Sequence, residues 1–199
     1  MLKKQYLYIL YIFLIAALSL STAFLCGCAK PPTQEIENAE KAIADAKQKE
    51  ADLYVQDVFA KAEDSSKRAK DLVAEKKYKE AKQAAEEAIN LAQQTIPMIE
   101  PNKEKIKAET EQMIPEVQGS LDEIKSLVAK AVKKKASINR EEIQGSIGKW
   151  EVDMVTVRDQ LQGGRIRQAS DQLMSIMDQL KLQKETLAAV LEQEPAAKK

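Results

Sequence analysis

The chain offers few side chains that can act as nucleophiles or acid–base groups. It has no histidine, and both of its cysteines lie near the N-terminus. Without histidine, His-based acid–base catalysis, a Ser-His-Asp triad and the usual zinc and haem sites are excluded. Carboxylate pairs such as Glu86-Glu87 and Glu141-Glu142 occur in segments so charged that we interpret them as solvated helix faces or helix starts. The sequence therefore predicts no catalytic residues and no metal site.

The thiol of Cys28 is the exception, because the residues before it predict a covalent modification. Leu25-Cys26-Gly27-Cys28 closes an almost uncharged run, residues 6–24, which follows Lys3 and Lys4. This order of basic, apolar and small-residue zones is that of an export signal. The tetrapeptide resembles the lipobox of bacterial lipoproteins, in which Cys carries diacylglycerol and an N-acyl chain. The resemblance implies a signal peptide over 1–27 and a lipid on Cys28.

An uncleaved signal anchor is the alternative, since residues 6–24 approach the roughly 20 apolar residues that span a bilayer. Either interpretation places the remaining chain outside the cytoplasm. Lipidation of Cys28 and loss of Cys26 exclude an intrachain disulfide. Two or three acyl chains are enough for stable anchoring. By the sorting tendency of enterobacterial lipoproteins, Ala29 after the Cys predicts the outer membrane, with the chain facing the periplasm.

Composition places the mature chain among all-α proteins. Lys+Arg and Asp+Glu number 31 each, so no large field of one sign remains to attract nucleic acid, and we expect no nucleic-acid partner. Aromatic residues are only 5%, and Ala, Glu, Lys, Gln and Leu dominate the chain. These are strong helix formers, and no long stretch alternates apolar and polar residues as a strand would.

A shift of 88 residues aligns the chain with itself without gaps. Apolar positions then coincide at steps of three and four, the spacing of one helix face. We therefore predict a tandem duplication, with helical module 1 over 33–96 and helical module 2 over 120–193. The expected helices are 33–50, 53–75 and 78–96 in the first module, and 120–135, 140–162 and 165–192 in the second. Residues 28–32 form a lipidated linker, and the tail 194–199 is expected to be disordered.

A proline-interrupted connector, residues 97–119, is predicted between the modules. Pro97 and Pro101 bracket a break, and a short helix over 103–114 follows. Pro115 should kink or end this helix, because proline lacks the backbone donor and clashes with the preceding turn. Ser120, with Glu123 three residues later, has the spacing of a helix-start capping box.

Two further signals concern the second module. Asn139 and Glu142 repeat the capping-box spacing. The basic run 133–135 falls at a helix end, where cations oppose the macrodipole. A patch for lipid headgroups or an anionic cell-wall polymer is the alternative interpretation of that run. Gly163-Gly164 is interpreted as a turn between helices, not a phosphate loop.

The two modules are predicted to have unequal cores. Large apolar residues of module 2 align with alanines of module 1: Leu127 with Ala39, Trp150 with Ala62, Leu173 with Ala85, and Ile176 with Ala88. Burying Leu or Ile in place of Ala contributes roughly 2 kcal/mol more, as an upper bound. Module 2 is therefore expected to be the more stable one, and module 1 thin and closely packed or completed by a partner.

Two short motifs carry a family resemblance. Pro31-Pro32 precedes Ala/Glu-rich helices, and the third of these opens with Tyr78-Lys79-Glu80-Ala81. This arrangement resembles a domain-of-unknown-function family of small helical envelope lipoproteins, sometimes found ahead of OmpA-like peptidoglycan-binding domains. The likeness covers module 1 well and module 2 loosely. This chain departs from the family in having no OmpA-like domain after the helices. The resemblance therefore implies an all-α envelope lipoprotein, and cell-wall attachment through such a domain is not carried over.

Anchor, repeats and missing catalytic chemistry together predict a non-enzymatic, membrane-anchored helical scaffold or adaptor for an envelope protein. Arginine pairs well with carboxylates and phosphates, so the arginines of module 2 form the candidate partner surface: Arg140, Arg158, Arg165 and Arg167. No cofactor is expected apart from the lipid on Cys28.

Two other functions are open at this point. The end Ala197-Lys198-Lys199 is similar to the terminal lysine that links a murein lipoprotein to the wall, which would make the chain a peptidoglycan tether. A carrier of lipid or another small ligand would instead need a cavity between helices. Side chains that could line one are Met113, Met154, Met174, Met177 and Trp150, although such residues more often fill a core.

Overall fold

The computed structural model describes residues 30–193, which form six α-helices and no strand. The all-α prediction is confirmed. The helices are α1 Thr33–Gln48, α2 Ala51–Tyr54, α3 Gln56–Ala74, α4 Tyr78–Lys133, α5 Arg140–Gln162 and α6 Ile166–Gln193.

The predicted connector boundaries are wrong, because α4 is a single helix of 56 residues that contains all three prolines. The break between Pro97 and Pro101, the separate helix over 103–114 and the start at Ser120 do not occur. Ser120 lies inside α4 and caps nothing.

Exposure explains why the prolines do not interrupt α4. Pro97, Pro101 and Pro115 are all exposed, and so are Gln93, Pro97 and Glu111, whose carbonyls lose a helical partner. Water can bond to those carbonyls. The opposite face of α4 is buried through its apolar residues, which include Ile99, Val117, Leu121, Ile124 and Val128. Packing of that face therefore outweighs the local cost of proline.

The helix ends follow a common backbone pattern. Glu50, Lys76, Lys135 and Gly164 all have positive φ, at 70°, 60°, 58° and 74°. At Lys76, Lys135 and Gly164, the backbone N–H of that residue and the N–H of the next residue donate to carbonyls in the last turn of the preceding helix. This is the hydrogen-bond pattern of a Schellman motif. The helix-end position of the basic run and the glycine turn are thus confirmed. At the start of α5, the Glu142 N–H donates to Asn139 Oδ1 at 3.3 Å, which confirms the predicted cap.

The described chain divides into two compact units, whose bounds differ from the predicted modules. Unit 1 holds residues 30–43 and 61–90, and unit 2 holds residues 44–60 and 91–193. Residues 44–60, which include the buried side chains of Tyr54, Val55 and Phe59, group with unit 2. The tandem duplication itself stays a prediction.

Unit 1 has a core made mainly of alanine methyl groups. Its buried cluster is Ala39, Ala69, Ala84, Ala85 and Ala88, flanked by Ile36, Ile43, Leu72 and Ile89. Three exposed ion pairs connect its three helices pairwise. Lys82 bonds Glu35 at 2.8 Å, Lys70 bonds Glu40 at 2.6 Å, and Arg68 bonds Glu87. Such exposed pairs contribute little each, so close approach of small side chains holds these helices together.

Unit 2 has a core of large side chains from α4, α5 and α6. Its cluster includes Val117, Leu121, Trp150, Leu173 and Ile176, with Leu127 half-buried beside it. The buried residues of α6 recur at steps of three and four, which directs one face inward: Ile166, Ala169, Leu173, Ile176 and Leu180. Unequal core size, predicted from the sequence, is thus present at these positions. The stability difference stays a prediction.

Candidate interaction surface

The residues of the predicted lipidation site precede the described part of the chain. Leu25, Cys26, Gly27 and Cys28 lie before residue 30, and Lys199 lies beyond residue 193. Lipidation of Cys28 and attachment through Lys199 therefore stay predictions.

The four candidate arginines do not form one cluster. Arg140 opens α5 and Arg158 follows 18 residues later, so a straight helix separates them by about 27 Å. Arg158 and Arg165 are exposed on either side of the turn that joins α5 to α6. Arg167 is half-buried and pairs with Asp171 at 3.2 Å. A single arginine surface would need a partner long enough to span α5.

Arg167 lines a groove that the sequence did not predict. The groove is about 270 Å³ and lies where α2 meets α3, opposite one turn of α4; its other lining residues are Leu53, Tyr54, Val55, Gln56, Asp57, Val58, Met98 and Asn102. Val55 breaks the helix here, with φ −135°. The Asn102 side-chain amide donates to the Tyr54 carbonyl at 2.8 Å, which satisfies a carbonyl at the end of α2. This tertiary hydrogen bond from α4 accompanies the break, which falls inside the predicted helix 53–75.

Lys103 holds the same junction through charge. Its ammonium group bonds Glu50 Oε2 at 2.9 Å and lies 5.3 Å from the centre of the Tyr54 ring. The hydrogen bond that Lys103 donates to Glu50 raises the pKa of Lys103, against the opposing effect of burial. These contacts are typical of a structural ion pair with a cation–π contribution.

Four of the five residues proposed for a carrier cavity lie in or against the core of unit 2. Trp150 and Met154 are buried, and Met113 and Met177 pack against the same cluster. The Trp150 indole N–H donates to Gln179 Oε1 at 3.0 Å, so its polar atom is satisfied within unit 2. Met174 is exposed. Packing therefore gives the four side chains other than Met174 a structural role.

The outer face of α5 exposes apolar side chains. Val152 and Val155 are 65% and 54% exposed, although the inner face of the same helix already buries Ile143, Trp150 and Met154. Two glycines continue the exposed line toward the start of α5, at positions 145 and 148. We call the line Gly145, Gly148, Val152 and Val155 the outer stripe. Its steps of three, four and three match the seam of a helix pair.

The glycines of the outer stripe have no explanation within their own unit. A Cβ atom added at Gly145 or Gly148 would meet nothing within 4 Å, and neither residue has positive φ. Glycine inside a helix is less favourable than alanine by roughly 0.8–1 kcal/mol. The sequence does contain the signal for this face, because Val152 and Val155 fall off the spacing of the buried residues.

Groups of metal-binding side chains and helices able to span a membrane are both absent from the described residues. Within residues 30–193, no three cysteine or carboxylate side chains are grouped closely enough to hold a metal ion. None of the described helices combines the length and apolar character needed to cross a bilayer.

Comparison with known proteins gives no family for this chain. No protein-family model matches it, and searches of curated proteins and of solved structures found no match. The similarity to small envelope lipoproteins therefore stays a prediction that depends on Pro31-Pro32 and the segment 78–81.

Proposed function

We propose that this chain is a non-enzymatic scaffold or adaptor of the bacterial envelope. In this proposal a lipid on Cys28 anchors it to the membrane, and α5 binds an envelope protein through the outer stripe. The supporting observation is the exposure of Val152 and Val155 beside two open glycines. Exposed apolar side chains in a contiguous line are typical of interaction sites.

A helix is the occupant that this surface fits. Glycine lets a partner backbone come close, and the valines supply apolar contact on the same line. One flank of the stripe carries exposed Lys149. The other carries exposed Arg158, one of the four candidate arginines, and Glu151, which is paired with Lys125 at 2.8 Å. The partner helix should therefore have an apolar seam, with carboxylates opposite these two cations.

Charge argues against a second copy of α5 as that occupant. An antiparallel pair that sets each Gly148 against Val152 is centred on residue 150, and it would bring the two Lys149 side chains near each other. A parallel pair would instead oppose the two Asp159 carboxylates, which continue the same line. Like charges placed opposite each other disfavour both arrangements. The proposal therefore names a different protein.

The anchor is tested by the intact mass of the protein extracted from membranes. We expect a mass that begins at Cys28 and includes the acyl groups, and a Cys28→Ala variant without them. An unmodified mass for the wild-type chain would contradict the anchor.

The partner site is tested by photo-crosslinking in intact cells. A photoreactive residue at position 152 or 155 should give one adduct with a different protein, and the same residue at Asp178, exposed on α6, should not. Gly148→Leu should abolish the adduct while circular dichroism stays unchanged, because its side chain blocks close approach. An adduct with twice the mass of the chain, or one that persists in Gly148→Leu, would overturn the proposed site.

A further inference from the structure

We propose that the basic segment 124–140 binds anionic phospholipid headgroups. The segment contains six cations and no carboxylate: Lys125, Lys130, Lys133, Lys134, Lys135 and Arg140. The whole chain has equal numbers of basic and acidic residues, 31 each, so this separation of charge is local. Clusters of four to eight basic residues near a membrane are typical of sites for anionic lipids.

The fold places these cations on solvent-facing positions at one end of α4 and the start of α5. Lys130, Lys133, Lys134, Lys135 and Arg140 are all exposed. Between residues 30 and 193, none of these five takes part in an ion pair. Lys125 does, with Glu151 at 2.8 Å. Five cations are therefore available to an external anion.

Two grooves run beside the last turns of α4. One, of about 450 Å³, is lined by Lys130, Lys133, Lys134 and Leu191 of α6. The other, of about 480 Å³, is lined by Lys125, Val128, Ala129, Val132, Arg140, Gln144 and Ile147. Both grooves combine cations with apolar side chains, and Val132 is 41% exposed.

Helix-end electrostatics alone does not account for this arrangement. The C-terminal end of a helix carries the equivalent of about half a negative charge, whereas the end of α4 and the residues after it carry four lysines. Lys125 is already paired with Asp122 and Glu151. Against the five unpaired cations, the carboxylates that follow directly in the sequence are Glu141 and Glu142, and Glu142 already accepts from the Asn139 side chain at 2.9 Å. The local balance stays positive.

The apolar residues favour a membrane over a soluble anionic polymer. A lysine stem can lie along apolar groups while its ammonium reaches a phosphate. The headgroup region of a bilayer offers phosphate and acyl surface together, and so matches both Val132 and the lysines. This inference rests on the proposed function in one respect, because the anchor supplies the membrane.

The test is lysine footprinting of the full-length protein reconstituted in vesicles. A water-soluble acylating reagent would label lysines in phosphatidylcholine vesicles with and without phosphatidylglycerol, and mass spectrometry would quantify each site. We expect labelling of Lys130, Lys133 and Lys134 to fall at least about threefold with the anionic lipid. Labelling should recover at about 1 M salt, where the Debye length is near 3 Å. Exposed Lys105 on α4 serves as the reference site and should not change.

Variants separate a lipid contact from other causes. Lys133→Gln/Lys134→Gln should remove the protection of Lys130, and Lys105→Gln/Lys107→Gln should leave it intact. Equal labelling in both vesicle types would overturn the proposal. So would equal protection by soluble polyphosphate added to phosphatidylcholine vesicles, which would indicate a polymer site. The intact mass at Cys28 is read separately, so loss of the anchor is distinguishable from loss of this contact.

Discussion

At the scale of single residues, the helix ends carry backbone strain that can be relieved. Lys76 has φ 60° in the turn between α3 and α4, a conformation that costs a side-chain-bearing residue roughly 1–2 kcal/mol. Lys76→Gly should therefore raise the free energy of unfolding by about 1 kcal/mol, measured by urea titration. Lys77→Gly is the matched control, because Lys77 does not have positive φ, and it should stabilise nothing. A loss of stability in Lys76→Gly would contradict this account.

Lys103 provides a prediction for pH. Its pKa is raised in the folded chain above the ordinary value of 10.5, mainly by its hydrogen bond with Glu50. The folded state thus binds the proton more tightly, so the stabilisation is complete below pH 10.5 and lost as pH rises through the raised pKa. We expect the free energy of unfolding of the wild type to exceed that of Lys103→Gln by less than about 1 kcal/mol at pH 8, because Glu50 is partly exposed. The difference should shrink above the ordinary pKa.

Urea unfolding at about pH 8, 10 and 11.5 would measure that difference. The control is Lys105→Gln, whose exposed pair with Glu109 is longer, at 3.8 Å. It should differ little from wild type at any of the three conditions. A stability difference between wild type and Lys103→Gln that grows as pH rises would contradict the raised pKa of Lys103.

At the scale of elements, the outer stripe of α5 makes a prediction opposite to the usual effect of mutation. Gly145→Ala and Gly148→Ala should each stabilise the isolated protein by about 0.8–1 kcal/mol, because the new methyl groups meet nothing within 4 Å. Thermal unfolding checks this. Gly164→Ala is the control and should destabilise, since φ at that position is +74°. Lower stability of either alanine variant would contradict the open space around Gly145 and Gly148 on the outer stripe.

Pro115 gives a second prediction at this scale. It lies exposed inside α4 and removes one backbone hydrogen bond to Glu111. Pro115→Ala should raise the free energy of unfolding by about 1–3 kcal/mol, because alanine restores that bond and packs without a clash. Glu116→Ala, at the exposed neighbouring position, should change stability by less than about 0.5 kcal/mol. An unchanged midpoint for Pro115→Ala would show that the helix has already adapted fully to proline.

Two identical capping motifs in the sequence have different outcomes in the structure. Ser120 with Glu123 and Asn139 with Glu142 have the same capping spacing, but only Asn139 caps a helix. The difference lies outside either motif. Val117, Leu121 and Ile124 continue one buried stripe through Ser120, whereas residues 136–139 follow a closed helix end. Helix content could be predicted from composition, but the continuity of α4 depended on tertiary burial of a face that the prolines do not occupy.

At the scale of the whole molecule, core size predicts a difference in local stability. Unit 1 is packed with alanines and unit 2 with Leu, Ile, Met and Trp. Native-state hydrogen exchange should therefore be slower in unit 2, by about tenfold or more for amides of residues 143–157 and 166–180 than for those of 61–74 and 78–90. Exchange of the intact protein, followed by pepsin digestion and mass spectrometry of the peptides, measures this. Equal protection of both sets would reject the ranking.

The division into units could be predicted only in part. The alanine positions Ala39, Ala62, Ala85 and Ala88 are fully buried, and three of their four predicted counterparts, Trp150, Leu173 and Ile176, are buried too, whereas Leu127 is half-buried. The grouping of residues 44–60 with unit 2 could not be foreseen. It depends on the Val55 break and on bonds from Asn102 and Lys103, which connect residues about fifty positions apart.

The alanine core of unit 1 has a consequence for how its sequence can vary. Alanine is ordinarily the substitution that a helix accepts most easily, and its side chain is the default replacement in mutational scans. Here the methyl groups set the spacing of the helices, so Ala84→Leu would force them apart and Ala84→Gly would leave nothing to pack. The buried alanines of unit 1 are thus among the residues of this chain that tolerate substitution least.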